Sequence, residues 1–184
     1  MRIIAGTAGS IPIKVPKKLT RPTTDRVREA LFSALGPSVD GAEVLDLYAG
    51  SGSLGMEALS RGARSAVFVE EGKDACRIIS ENLKKTRLPG GSVAKSGVSS
   101  HLSRLTPDSL DLVFADPPYA RDEESSAELS ALLENENLAA AIRPHGHFIL
   151  ESLAQTPLPQ TPLWRVEKEK NYGKTRVSFL SPVR

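Results

Sequence analysis

The sequence contains one cysteine, Cys76, among 184 residues. A lone thiol makes neither an internal disulfide nor a cysteine metal site, so a disulfide framework is excluded and a reducing compartment fits. No apolar run approaches the roughly 20 residues that a membrane-spanning helix needs. Residues 1–18 lack the apolar core of a signal peptide. No internal repeat or low-complexity tract is visible. These absences predict a cytoplasmic globular chain without a membrane partner. What is present supports this: 40 % hydrophobic and 25 % charged residues are enough for a packed core. The length suits one compact domain with a small appendage.

The net charge is only +2, but it is unevenly placed. Residues 1–41 carry a net of +4, residues 42–163 a net of −6, and residues 164–184 a net of +4. A mildly acidic body thus lies between basic ends, and those ends are the candidates for phosphate contact.

Residues 2–22 are polar, basic and broken by Gly6, Gly9, Pro12, Pro16 and Pro22, which predicts a loose arm or a small hairpin. Thr23, Thr24 and Asp25 are good N-caps for a helix carrying Val27, Ala30, Leu31, Ala34 and Leu35, which Gly36-Pro37 stops. Short buried strands are predicted at 44–47, 66–69, 92–94, 110–115 and 147–150. Helices are predicted through 56–60, over 75–85, and around 129–133 and 138–142. The helix at 75–85 places Ala75, Ile78, Ile79 and Leu83 on one face. Alternating strands and helices predict a parallel sheet covered on both faces, with ligands at the carboxyl ends of its strands. The stretch 154–163 holds three prolines and reads as a linker. Residues 164–169 and 175–180 then read as an antiparallel hairpin turning around Asn171–Lys174.

Gly50-Ser51-Gly52-Ser53-Leu54-Gly55 fits G-x-G-x-x-G between a strand and a helix, and Glu70 ends the next strand. This satisfies the dinucleotide fingerprint, so an NAD-dependent oxidoreductase is one reading. Small residues let the backbone approach a ligand, and a carboxylate after the second strand can accept hydrogen bonds from two ribose hydroxyls. Asp46, four residues before Gly50, suits a cationic ammonium or sulfonium better than a pyrophosphate. That favours S-adenosylmethionine.

Asp116-Pro117-Pro118-Tyr119 follows the strand 110–115 directly. Successive prolines stiffen the turn. Asp116 and the Pro117 carbonyl could then accept both hydrogens of a planar amino group, while Tyr119 stacks on the ring that bears it. Two acceptors stabilise the positive charge that develops when such an amine attacks a methyl group. An adenine-N6 methyltransferase acting on DNA or RNA is a further reading of this turn.

The ordered pair Asp46-Leu-Tyr-Ala-Gly-Ser-Gly and Asp-Pro-Pro-Tyr resembles the amino-group methyltransferases that use S-adenosylmethionine. The run Arg21-Pro-Thr-Thr-Asp-Arg-Val-Arg-Glu29 narrows the resemblance to the bacterial 16S ribosomal RNA guanine-N2 methyltransferase family. The match runs from Arg2 to Tyr119 and resumes at Tyr172-Gly173. It implies an α/β Rossmann-like methyltransferase fold: a seven-stranded, mostly parallel sheet with a C-terminal antiparallel hairpin and a short N-terminal extension. The basic arm would be 1–22 and the methyltransferase domain 23–184. It further implies that Asp46, Tyr48, Gly50, Ser51, Gly52, Glu70 and Gly97 line the cofactor pocket, and that Asp116, Pro117, Pro118 and Tyr119 hold the target base. Lys17, Lys18, Arg21, Thr23, Arg26, Tyr172 and Lys174 would touch RNA. The implied partner is 16S ribosomal RNA in the small subunit or its assembly intermediates, met by a monomer that needs no metal. Gly97 stands where members carry Asn or Asp, which leaves adenine recognition to backbone groups or Ser96. Residues 9–14, where members are basic, hold one lysine.

The remaining residues read as structural. His145 and His147 flank Gly146 without a third ligand, which predicts no metal. Cys76 reads as core or partly buried, His101 as part of a surface helix, Trp164 as hairpin packing, and Lys84, Lys85 and Arg87 as a solvated helix end.

Overall fold

The computed structural model describes residues 1–16, 24–117 and 123–184, and of residues 123–126 only the backbone. The chain forms two compact units, Met1–Val98 and Ser99–Arg184. The expected boundary at residues 22–23 falls outside the described residues.

The first unit holds α1 (Asp25–Leu35), a 3-10 turn (Gly36–Val39), β1 (Glu43–Leu47), α2 (Ser53–Ser60), β2 (Ser65–Glu70), α3 (Lys73–Thr86) and β3 (Gly91–Lys95). The Thr24 hydroxyl caps α1 by accepting from the Val27 N–H. Strands β1, β2 and β3 pair in parallel, with Asp46 opposite Phe68 and Glu70 opposite Lys95. Their apolar side chains are buried: Val44, Leu45, Leu47, Ala66, Phe68 and Val69 are all within 1 % of full burial. Helix α2 is buried along its whole length, Glu57 included. On α3 the buried stripe is Cys76, Ile79, Asn82 and Thr86. Of the face expected from the sequence only Ile79 is buried, while Ala75, Ile78 and Leu83 are half-buried. The stripe is rotated to take in a polar residue, Asn82.

Residues 1–16 are more closely held than a loose arm. One antiparallel bridge, Arg2 to Pro12, closes them into a small loop, and Ile3, Ala8 and Ile13 are buried. The loop docks on polar groups. The Ile4 and Ala5 N–H groups donate to the Glu57 carboxylate at 2.7 and 3.1 Å. Arg61 completes the neutralisation of Glu57 at 2.7 Å. The Thr7 N–H donates to the Ser60 carbonyl at 2.7 Å. Gly6 passes so close that an added Cβ would lie 1.8 Å from that same oxygen, and its φ is +81°. No other residue fits there without displacing the loop.

The second unit holds α4 (Val98–Leu102, beginning at the boundary), β4 (Leu110–Ala115), α5 (Glu123–Leu133), α6 (Glu136–Ala141), β5 (Ile142–Leu153), β6 (Trp164–Tyr172) and β7 (Thr175–Pro182). Strand β4 pairs with β5 in parallel, and β7 pairs antiparallel with both β5 and β6. Strand β5 starts five residues earlier than the sequence predicts. A register shift between Leu110 and Leu112 takes up Pro144 and Gly146, which read as strand breakers. Trp164 packs as expected: its ring lies 5.1 Å from that of Phe148, and its Nε1–H donates to the Leu133 carbonyl at 2.7 Å. Arg176 ties the 154–163 connection down through the Thr156 carbonyl and the Ser152 hydroxyl.

The strands form one seven-stranded sheet in the order β3-β2-β1-β4-β5-β7-β6. The expected architecture, parallel strands with a terminal antiparallel pair, is what the chain adopts. Among the described residues, no helix is long and apolar enough to cross a membrane.

Candidate functional site

The candidate cofactor site is built at the carboxyl ends of β1 and β2. Beyond β1 the backbone turns through three left-handed residues, Tyr48 (φ 56°), Gly50 (φ 54°) and Gly52 (φ 75°), before α2 begins. Glycine adopts this region freely; Tyr48 does so at a cost, as residues at ligand sites often do.

Two carboxylates hold the turn. The Gly50 N–H donates to Glu70 at 2.9 Å, and the Gly72 N–H donates to the other Glu70 oxygen at 2.8 Å. Glu70 therefore clasps the loops that follow β1 and β2. Each of its oxygens keeps acceptor capacity beyond the one N–H it holds. Asp46 accepts from the Gly55 N–H at 2.9 Å and is only 2 % exposed. Burial pushes its carboxyl up to about 7, the charge of Glu70 adds to the rise, and the Gly55 N–H opposes it. A buried carboxylate facing a like charge is relieved by a cation. The donor set thus fits a ligand with an ammonium or sulfonium centre and a diol.

The structure brings Asp46, Gly50, Gly52 and Glu70 together in one hydrogen-bonded turn, with Ser51 buried inside it and Tyr48 half-buried at its start. Gly97 lies in the short turn between β3 and α4. A Cβ there would sit 3.7 Å from the Glu71 carboxylate, an ordinary contact, so space does not demand glycine. Ser96 donates from its N–H to the Glu70 carbonyl at 3.1 Å.

One residue of this region was not among those expected from the sequence. Asn82 is fully buried on α3. Its side-chain N–H₂ donates to the Ser51 carbonyl at 3.1 Å and to the Lys14 carbonyl at 2.9 Å, while its oxygen accepts from the Lys14 N–H at 2.8 Å. A single amide thereby joins the glycine turn to the N-terminal loop. The signal in the sequence is a polar residue within an otherwise apolar helical stripe.

In the second unit, Asp116 follows β4 and is partly exposed, and Pro117 is buried. Pro118 and Tyr119 lie outside the described residues, as do Lys17, Lys18, Arg21 and Thr23. Arg26 is exposed on the first turn of α1, and Tyr172 and Lys174 lie at the tip of the β6–β7 hairpin. Among the described residues no group of three or more His, Cys, Asp or Glu could hold a metal ion. Cys76 is buried and donates to the Glu70 carbonyl, and burial pushes its thiol up, which suits packing rather than nucleophilic chemistry.

Comparison with known proteins gives a consistent picture. The family model described as conserved hypothetical protein 95 matches residues 1–181. Ribosomal RNA small subunit methyltransferase D of Escherichia coli is 36 % identical over 177 residues, covering 95 % of this chain and 86 % of that one. Its Haemophilus influenzae namesake is 35 % identical over 178 residues, covering 94 % and 89 %. An Escherichia coli structure provisionally described as a methyltransferase superposes with a TM-score of 0.82 at 33 % identity, over 99 % of this chain and 97 % of that one. A Thermus thermophilus structure described only as a hypothetical protein gives 0.80 at 31 %, over 100 % and 99 %.

Proposed function

The chain belongs to the conserved hypothetical protein 95 family, and from that premise we propose that it is an S-adenosylmethionine-dependent methyltransferase acting on the exocyclic N2 amine of a guanine in 16S ribosomal RNA. The relatives named as small-subunit ribosomal RNA methyltransferases support the substrate class. The observation that carries the cofactor assignment is Asp46, a buried carboxylate raised to about 7 beside Glu70, as a cation's binding site should be before the cation arrives.

When bound, S-adenosylmethionine supplies an electrophilic methyl group on sulfur. Asp46 takes the ligand's positive amino-acid end. Glu70 receives the ribose hydroxyls on the acceptor capacity that the Gly50 and Gly72 N–H groups leave free. Tyr48, Ser51 and Gly52 shape the turn against the ligand, and Gly97 with Ser96 borders its adenine. Asp116 and the Pro117 carbonyl accept the two hydrogens of the guanine amine, which concentrates the lone pair on nitrogen. They also stabilise the positive charge that grows there during attack. Pro118 stiffens the turn and Tyr119 stacks on the flipped-out base. Asp116 then takes up the proton that the methylated nitrogen releases. Lys17, Lys18, Arg21, Thr23, Arg26, Tyr172 and Lys174 bind RNA around the pocket. In this reading residues 1–22 are an arm on a 23–184 catalytic domain. The protein works as a monomer in the cytoplasm, on the small subunit or its assembly intermediates, and needs no metal.

The test is transfer of a labelled methyl group to undermodified small subunits or their assembly intermediates, followed by nucleoside analysis. N2-methylguanosine is the expected product. N6-methyladenosine would replace this reading with the adenine one. No transfer at all, or undiminished transfer by Asp116→Ala, refutes it.

A further inference from the structure

Strand β6 reads Trp-Arg-Val-Glu-Lys-Glu-Lys-Asn-Tyr, a mixture of signs that nearly cancels along the chain. The pairing shows which of these charges the hairpin itself engages. Directly opposed residues of paired strands share a face, and successive residues alternate faces. Glu169 lies opposite Ser178 and accepts from its hydroxyl at 2.9 Å; the Arg176 guanidinium is 3.6 Å away. Glu167 occupies the register shift between Val166 and Lys168. It accepts from the Ser181 hydroxyl at 2.6 Å and from Arg165 at 2.7 Å. Both carboxylates are therefore engaged within the hairpin, Glu169 on one face and Glu167 on the other, since Ser181 lies on the same side of β7 as Phe179 and Val177. Buried Glu151 of β5, opposite Val177, also lies on the Glu167 side.

The lysines of this strand are not engaged in that way. Lys168, Lys170 and Tyr172 lie opposite Phe179, Val177 and Thr175, so they form one row. Both lysines are exposed and Tyr172 is half-exposed. Lys174 is exposed in the turn that follows, beside Gly173 (φ 62°). Among the described residues, none of these three lysines makes an ion pair. Neighbours in the row are about 7 Å apart, two residues of extended strand, which matches the stride of phosphates along an extended nucleic-acid strand. Strand β6 is the sheet's edge, so nothing within the sheet covers its outer side.

We propose that this face of the β6–β7 hairpin is a phosphate-binding row: Lys168, Lys170 and Lys174 grip successive phosphates of the RNA substrate, and Tyr172 stacks on a base between them. The inference rests on the RNA-methyltransferase reading and adds to it where the backbone runs. Exposed point charges in register, joined to an aromatic ring, are the elements of single-strand binding. Lysines on an edge strand also discourage pairing with other chains, but that purpose needs neither their alignment in one row nor the tyrosine.

The experiment measures binding of the full chain to unmodified 16S ribosomal RNA transcript across a salt series. Each phosphate contact contributes about 0.7 to 0.9 to the slope of log K against log salt. The double variant Lys168→Gln/Lys170→Gln should therefore flatten the slope by about 1.5 and weaken binding at low salt. Lys168→Arg/Lys170→Arg should keep both. Lys84→Gln/Arg87→Gln at the C-terminal end of α3, an equal loss of charge, should leave the slope unchanged. Binding of S-adenosylhomocysteine should be the same in all. An unchanged slope in the first variant, an equal fall in the α3 control, or an equal loss in the arginine variant overturns the row. So does a variant that binds the transcript normally but fails on intact particles, which would make the partner a ribosomal protein. Absence of methyl transfer by the unaltered chain would instead overturn the parent reading.

Discussion

Asp46→Asn separates the two demands placed on the cofactor site. The ordinary carboxylate value is 3.8, and burial with the charge of Glu70 lifts Asp46 to about 7. At about 1.36 kcal/mol per pH unit, ionising it in the folded protein costs about 4 kcal/mol more than in the unfolded chain. The sign follows from proton counts. Between about pH 4 and 7 the folded protein holds a proton that the unfolded chain has released, so stability falls as pH rises through that window and levels off above it. Asparagine does not titrate. Its oxygen can still accept from the Gly55 N–H, but its buried N–H₂ needs an acceptor and costs about 1–3 kcal/mol at every pH. Denaturant unfolding of both proteins from pH 5 to 8.5 should give a stability difference that shifts in the variant's favour by about 2–3 kcal/mol between pH 5 and 7, then stays constant. Titration with S-adenosylhomocysteine should show the reverse side of this balance. The ligand's ammonium favours ionised Asp46, so unaltered protein should gain nearly tenfold in affinity per pH unit below 7, whereas the variant should bind weakly and without that dependence. A stability difference that is flat from pH 5 to 8.5 would refute the argument, because the elevated carboxyl would then not exist.

Other substitutions probe the remaining contacts. Asp116→Ala should abolish methyl transfer while leaving S-adenosylhomocysteine affinity within about twofold, as calorimetry would show. Asn82→Ala strands the Lys14 N–H and the carbonyls of Lys14 and Ser51. It should cost about 1–3 kcal/mol in unfolding experiments and weaken cofactor binding as well, since the glycine turn loses its support. Gly6→Ala meets both a left-handed backbone and the Ser60 carbonyl. Hydrogen exchange should show faster exchange at the Ile4, Ala5, Thr7 and Ala8 amides, with the β1–β2 amides still protected.

Local chemistry made much of this molecule legible. Thr24 and Gly36 delimit α1 because a hydroxyl cap and a left-handed stop act over a few residues. The glycine turn and Glu70 could be paired from spacing alone, because parallel strands bring their carboxyl ends side by side. What the sequence hid depends on partners far along the chain. Pro144 and Gly146 look like breakers, and only the irregular register against β4 lets β5 absorb them. A small hairpin is one reading of the N-terminal segment, but its close docking is hidden because its anchors, Glu57, Ser60 and Asn82, lie 50 to 70 residues away. The periodicity places the α3 stripe one step off in rotation because Asn82 counts as polar, yet its amide is satisfied by backbone groups of Lys14 and Ser51. Alternating Lys and Glu on β6 reads as a solvated strand until the hydrogen bonds show that the hairpin engages both carboxylates and leaves the lysines exposed.

The docking of the N-terminal loop carries a consequence for how the protein is made. Residues 1–14 leave the ribosome before their main polar anchors, which are translated later: Glu57 and Ser60 on α2, then Asn82 near the end of α3. Until Asn82 has emerged, the Ser51 carbonyl of the glycine turn also lacks this donor. The 1–14 segment must therefore wait for about seventy further residues, and closure of that long loop comes late in folding. The cofactor turn acquires its final support in the same event. A nascent chain should become able to bind cofactor only once the 1–14 loop has docked onto α2 and α3.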